Sequence, residues 1–145
     1  MPIFLEEYLQ KNLSRCSIRE ILLDKELAQL GDAYVNFIYS LALSISERRP
    51  LGKKVSSEIL ANAIKESDIR RLLPSGSDRH AQGDAAEALI LCSWITDRVT
   101  IEEAVRILRK EADPVKAFKG LLLQVMKEFS EKGLKERVSE PLREL

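Results

Sequence analysis

The chain is poor in the residues that build disulfide frameworks, zinc sites and serine-nucleophile triads. It has two cysteines, Cys16 and Cys92, and a single histidine, His80. The cysteines make no framework and belong to no CxxC or Cys/His zinc pattern; they read as reduced packing residues of a cytoplasmic protein. The serines have no accompanying glycine-rich elbow or second histidine, so a Ser-His-Asp site is not supported. Neither GxxxxGK[ST] nor GxGxxG occurs, so nucleotide-phosphate cradles of those kinds are not indicated. Charge of one sign is also missing: 23 Lys and Arg balance 23 Asp and Glu. That excludes nucleic-acid binding by global basicity, while a local basic patch remains open. No apolar run approaches the roughly 20 residues that span a bilayer. Met1 to Leu13 carries Glu6 and Glu7 with no basic segment, unlike a signal peptide. Six glycines and five prolines are few for 145 residues, and no stretch alternates like a strand, so the expected fold class is all-α.

What is present is helical periodicity in a soluble composition, 45% hydrophobic and 32% charged. The length suits one domain, residues 1–145, with 114–145 as a C-terminal helical extension. A first helix is expected over Ile3 to Leu13. Asp24 caps a second, whose apolar residues Leu27, Leu30, Tyr34, Ile38, Leu41 and Ile45 recur every three or four positions and suggest the central buried helix. Gly31 inside it costs about 1 kcal/mol relative to Ala, which marks a close approach of another backbone or a ligand. A basic loop, Glu47 to Lys54, precedes a helix from Ser56 or Ser57. Ser67 caps a short helix ending near Leu73. Pro74 to Arg79 reads as a loop, with a helix from the Gln82 stretch through Trp94. Thr100 and Glu103 form a capping box for a helix to about Glu111. Asp113-Pro114 opens the last long helix, with Gly133 as its stop.

Asp84 and Glu87, three apart, share a helical face and can offer oxygen to a hard cation. Their plainer reading is favourable charge in a helix's first turn. Asp32 sits in another helix among apolar neighbours, where its plainer reading is a solvated surface acid. A shared site requires the two stretches to meet, with carboxylates within about 10 Å, close enough to hold a pair of ions about 4 Å apart. His80 faces the same cavity if its helix starts early, and otherwise is an exposed loop residue. Arg48, Arg49, Lys53, Lys54 and Arg79 either meet phosphates or solvate the surface. Trp94 and its aromatic neighbours, at helical spacing, read as core.

Leu30-Gly31-Asp32-Ala33 resembles the first signature of the ribonuclease III family. Gly83-Asp84-Ala85-Ala86-Glu87-Ala88-Leu89-Ile90 resembles its second, G-D-x-x-E-A-L-I. Gly52-Lys53-Lys54-Val55-Ser56 resembles the segment between them. The likeness covers roughly residues 20–110 and is nearest to the small archaeal ribonuclease III-like proteins, with the compact bacterial Mini-III group second. It implies an all-α endonuclease domain, a homodimer, and hydrolysis of double-stranded or structured RNA dependent on Mg²⁺ or Mn²⁺. By motif position, the resemblance makes Asp32, Asp84 and Glu87 the catalytic residues and metal ligands; Lys53, Lys54, Arg79 and His80 are the candidates for RNA contact. One position departs from the long bacterial members: Ala28 stands where they have a glutamate, one turn before Asp32. Glu26, six before Asp32 and roughly 120° round the helix, is a poor substitute. The alternatives are a catalytically inactive RNA-binding or ribonucleoprotein component, and a helical protein–protein interaction module.

Overall fold

The computed structural model describes the backbone of residues 2–13 and 17–144. Among these residues there are α-helices and one 3-10 turn but no strand, as the all-α expectation required. The helices are α1 (Pro2–Leu13), α2 (Ile18–Leu23), α3 (Lys25–Glu47), α4 (Ser57–Glu66), α5 (Arg79–Ile95), α6 (Ile101–Arg109) and α7 (Pro114–Glu144), with the 3-10 turn at Ile69–Leu72. Cys16 lies outside the described residues; Cys92 is buried in α5.

The core is built around α5 rather than α3. Helix α5 packs against α1, α2, α3, α4 and α7, and it is buried on nearly every face from Ala85 to Ile95. Gly83, Ala85, Ala86 and Ala88 explain why: small side chains let neighbouring helices approach from several directions at once. The α3 stripe buries Leu27, Tyr34 and Ile38, but Leu30 and Ile45, and Phe37 beside the stripe, remain exposed. A long apolar stripe therefore misidentified the centre, because it contains both an inward and an outward set. Trp94 stacks on Tyr34 with ring centroids 5.2 Å apart, and Tyr39 meets Phe118 at 5.5 Å. These aromatics belong to the packing, as their spacing suggested.

Several boundaries follow from side-chain capping. Asp24 accepts from the Leu27 amide at 3.0 Å, Ser56 from Ile59 at 3.2 Å, and Thr100 from Glu103 at 3.1 Å. Ser67, expected to start a helix, instead ends α4 and donates its hydroxyl to the Ile64 carbonyl. Helix α2 was missed, although Ser17 and Glu20 carry its signal: the Glu20 amide donates to the Ser17 hydroxyl. Gly133 does not stop α7. Upstream of it, Phe118, Leu121, Leu122 and Val125 are fully buried, which anchors the first turns of α7 in the core.

Candidate metal and RNA site

Helix α5 begins earlier than its sequence suggested. Asp78 caps it by accepting from the Ala81 amide at 2.8 Å, so Arg79 and His80 lie in its first turn and are exposed. Asp84 and Glu87 consequently sit deeper in the helix, where negative charge gains little from the helix N-terminus. The plainer reading of this pair loses its support.

The crossing of α3 over α5 brings the acids together. A Cβ added to Gly31 would lie 2.6 Å from the Glu87 carbonyl carbon, so only glycine lets the two backbones come this close. That contact sets Asp32, the next residue, beside Glu87. Asp32, Asp84 and Glu87 line one open cleft of about 740 Å³, with Lys25, Ala28, Gln29, Lys54, Val55, Ser56 and Ser57. All three acids are half-buried.

Electrostatics register the crowding. Burial, then a side-chain hydrogen bond with Asp32 and repulsion from Asp32 and Asp84, push the Glu87 carboxyl up to about 8. Lys54 acts in the opposite direction. Asp84 is also raised, first by burial; Lys25 and His80 oppose this, while Asp78 and Asp32 add to it. Among the described residues, no three His, Cys, Asp or Glu side chains form a ready-made metal cage. The cleft instead offers carboxylate oxygens beside open volume. That donor chemistry suits a hard divalent ion that retains several waters.

Another wall of the cleft is the end of the segment after α3, which runs antiparallel along that helix. The Leu51 amide donates to the Ser44 hydroxyl at 2.8 Å, the Lys53 amide to Ser40 at 2.8 Å, and the Val55 amide to the Asn36 carbonyl oxygen at 2.8 Å. Ser40 and Ser44 donate back to the Lys53 and Leu51 carbonyls. Four helical residues rise about 6 Å and two extended residues about 6.6 Å, so the two repeats stay in register. This ladder presents Lys54 to the cleft and Lys53 to the adjoining groove.

The expected residues are thus distributed unevenly. Asp32, Asp84, Glu87 and Lys54 share the cleft, whereas Lys53, Arg79 and His80 do not line it. Lys25, Gln29, Ser56 and Ser57 do, and sequence reasoning missed them as site residues. Lys25 lies one turn before Ala28 and two before Asp32, a periodicity that could have found it. Ala28 is 3% exposed and faces the cleft, whereas Glu26 is exposed elsewhere.

No curated protein matches the chain. A family model described as Ribonuclease III matches residues 25–142. That match spans α3, the ladder segment and α5, the elements that build the cleft, and the chain belongs to the ribonuclease III family.

Proposed function

We propose that the protein is a cytoplasmic, metal-dependent endoribonuclease, acting as a single domain on phosphodiester bonds in double-stranded or structured RNA during RNA processing. The observation that carries this reading is the meeting of Asp32 with Asp84 and Glu87 in one cleft, from two separate helices. The donor set fits Mg²⁺ or Mn²⁺, because Glu87 is held against ionisation by burial and by neighbouring acids that a cation would offset. When bound, such an ion polarises the scissile phosphate and acidifies the attacking water.

The chain's own side chains do the rest. Asp32, Asp84 and Glu87 would hold the ion, with Glu87 releasing its proton to solvent as the carboxylate is engaged. Lys25 and Lys54 meet phosphate oxygens at the cleft, while Lys53, Arg79 and His80 extend the basic contacts beyond it. Recognition rests on A-form shape, phosphates and 2′-hydroxyls. A homodimer would set two clefts across one duplex, one for each strand. Leu30, Phe37 and Ile45, exposed at two-turn intervals on α3, support such self-association.

The test is a structured RNA hairpin incubated with protein and Mg²⁺ or EDTA. Cleavage is expected only with Mg²⁺ and is lost in Asp84→Asn and Glu87→Gln. Ala28 in the cleft wall favours a second reading, a protein that binds structured RNA without cutting it; binding with no cleavage selects that one. Absence of RNA binding even at low salt leaves only a helical interaction module.

A further inference from the structure

Asn36 lies one turn after Asp32 on α3 and is half-buried. Its Nδ2 donates to Asp32 Oδ1 at 3.1 Å. Its Oδ1 accepts from the Val55 amide at 2.8 Å. The orientation of the amide is unambiguous on chemical grounds. A backbone N–H can only donate, so the carbonyl oxygen of Asn36 must face Val55. Its NH₂ then faces Asp32, whose Oδ1 accepts. Reversing the amide would break both bonds.

Ser40 and Ser44, at the next two positions of the same row, bind only the extended segment. Asn36 differs because it reaches both the segment and the acid. It is the joint between them. One Asp32 oxygen is engaged by Asn36, and the same carboxylate is in hydrogen-bond contact with Glu87. Asp32 is therefore held by an amide from its own helix as well as by its acidic neighbour on α5. Val55 and the α4 cap Ser56 line the same cleft, so the amide also fixes the spacing between the acids and that wall.

We infer that Asn36 is a positioning residue: it aims the Asp32 carboxylate into the cleft and ties it to the Val55 backbone, prearranging the cleft for a divalent cation. This rests on the metal-site reading of Asp32, Asp84 and Glu87. Residues that orient metal ligands typically contribute about 10- to 100-fold in affinity.

The experiment is a Mn²⁺ titration of the full chain followed by electron paramagnetic resonance at fixed pH, with thermal unfolding of each variant beside it. Asn36→Ala is expected to raise the Mn²⁺ Kd about 10-fold or more. Asn36→Ser, polar but too short to bridge Asp32 and Val55, should do the same and serves if the alanine variant folds poorly. Ser40→Ala removes a neighbouring anchor of the segment and should leave the Kd unchanged. Folded Asn36 variants with wild-type affinity overturn the proposal alone. So does an equal loss in Ser40→Ala, since the effect would then come from loosening the segment. A wild-type chain that binds no Mn²⁺ overturns the metal-site reading and this proposal with it.

Discussion

Of the two glycines in signature motifs, Gly31 has a steric reason to be there and Gly83 does not. At Gly31 an added methyl would run into the Glu87 backbone, with the carbonyl carbon at 2.6 Å. Backbone cannot yield as a flexible side chain does, so Gly31→Ala should destabilise by about 1–3 kcal/mol. At Gly83 the nearest atoms, on Ser57, lie at 3.5–3.6 Å, ordinary contact distance. Gly83→Ala should be tolerated and gain up to about 1 kcal/mol from helix propensity. Denaturant unfolding of the two variants should give midpoints shifted in opposite directions. Glu87 makes a further prediction. Its carboxyl is raised from an ordinary 4.5 to about 8, so between those values the folded chain keeps a proton that the unfolded chain has released. The stability that Glu87 contributes without metal should therefore be fully present below this window, fall as pH rises through it, and be lost above about 8. Glu87→Gln should remove that part of the slope, and Mg²⁺, which favours the ionised carboxylate, should reduce it. Thermal unfolding across pH, with and without Mg²⁺, checks both; a wild-type profile that rises over the window contradicts the assignment.

At the scale of elements, the ladder between α3 and residues 51–55 matters most. It gives a loop the definition of a strand without a sheet. Removing the hydroxyls in a Ser40→Ala/Ser44→Ala double variant should leave the core intact, since both residues lie outside it. The Leu51 and Lys53 amides should then exchange hydrogen much faster than in wild type, with a small change in global stability. If their exchange stays at the wild-type rate, the ladder does not hold the segment. The ladder was only partly legible beforehand. Lys53 and Lys54 were recognisable as basic, and Ser56 as a cap. The row Asn36, Ser40 and Ser44 looked like ordinary helix polarity, because a helix face does not reveal which extended segment lies on it. The start of α5 was misplaced for a related reason: Pro74 to Arg79 has loop composition, yet its Asp78 is an effective cap.

For the whole molecule, the proposed two-fold pairing has a direct consequence. If each cleft cuts one strand, a mixed dimer of wild-type and Asp84→Asn chains should nick a duplex rather than sever it. Denaturing and native gels of a long duplex substrate distinguish the two products. Phe37, 54% exposed on the outer face of α3, is the residue to test for association. Phe37→Glu should shift the sedimentation coefficient toward the monomer if that face pairs, and leave it unchanged if it does not. The proposed RNA binding, by a chain of zero net charge, would rely on local lysines and arginines, so affinity should fall steeply as salt rises.

The sequence by itself determined the helical class, most helix starts, and the two acidic stretches. These are local properties: side-chain period, cap chemistry and motif spacing are written along a few turns of chain. It also marked Gly31 as a place of close approach, though not what approaches. Only the tertiary structure decided that Asp32 meets Glu87, that α5 rather than α3 occupies the centre, and that Lys25, Asn36 and Ala28 border or brace the same cleft. Those facts depend on how helices cross. A crossing is set by the fit of side chains from separate segments, which no single segment contains.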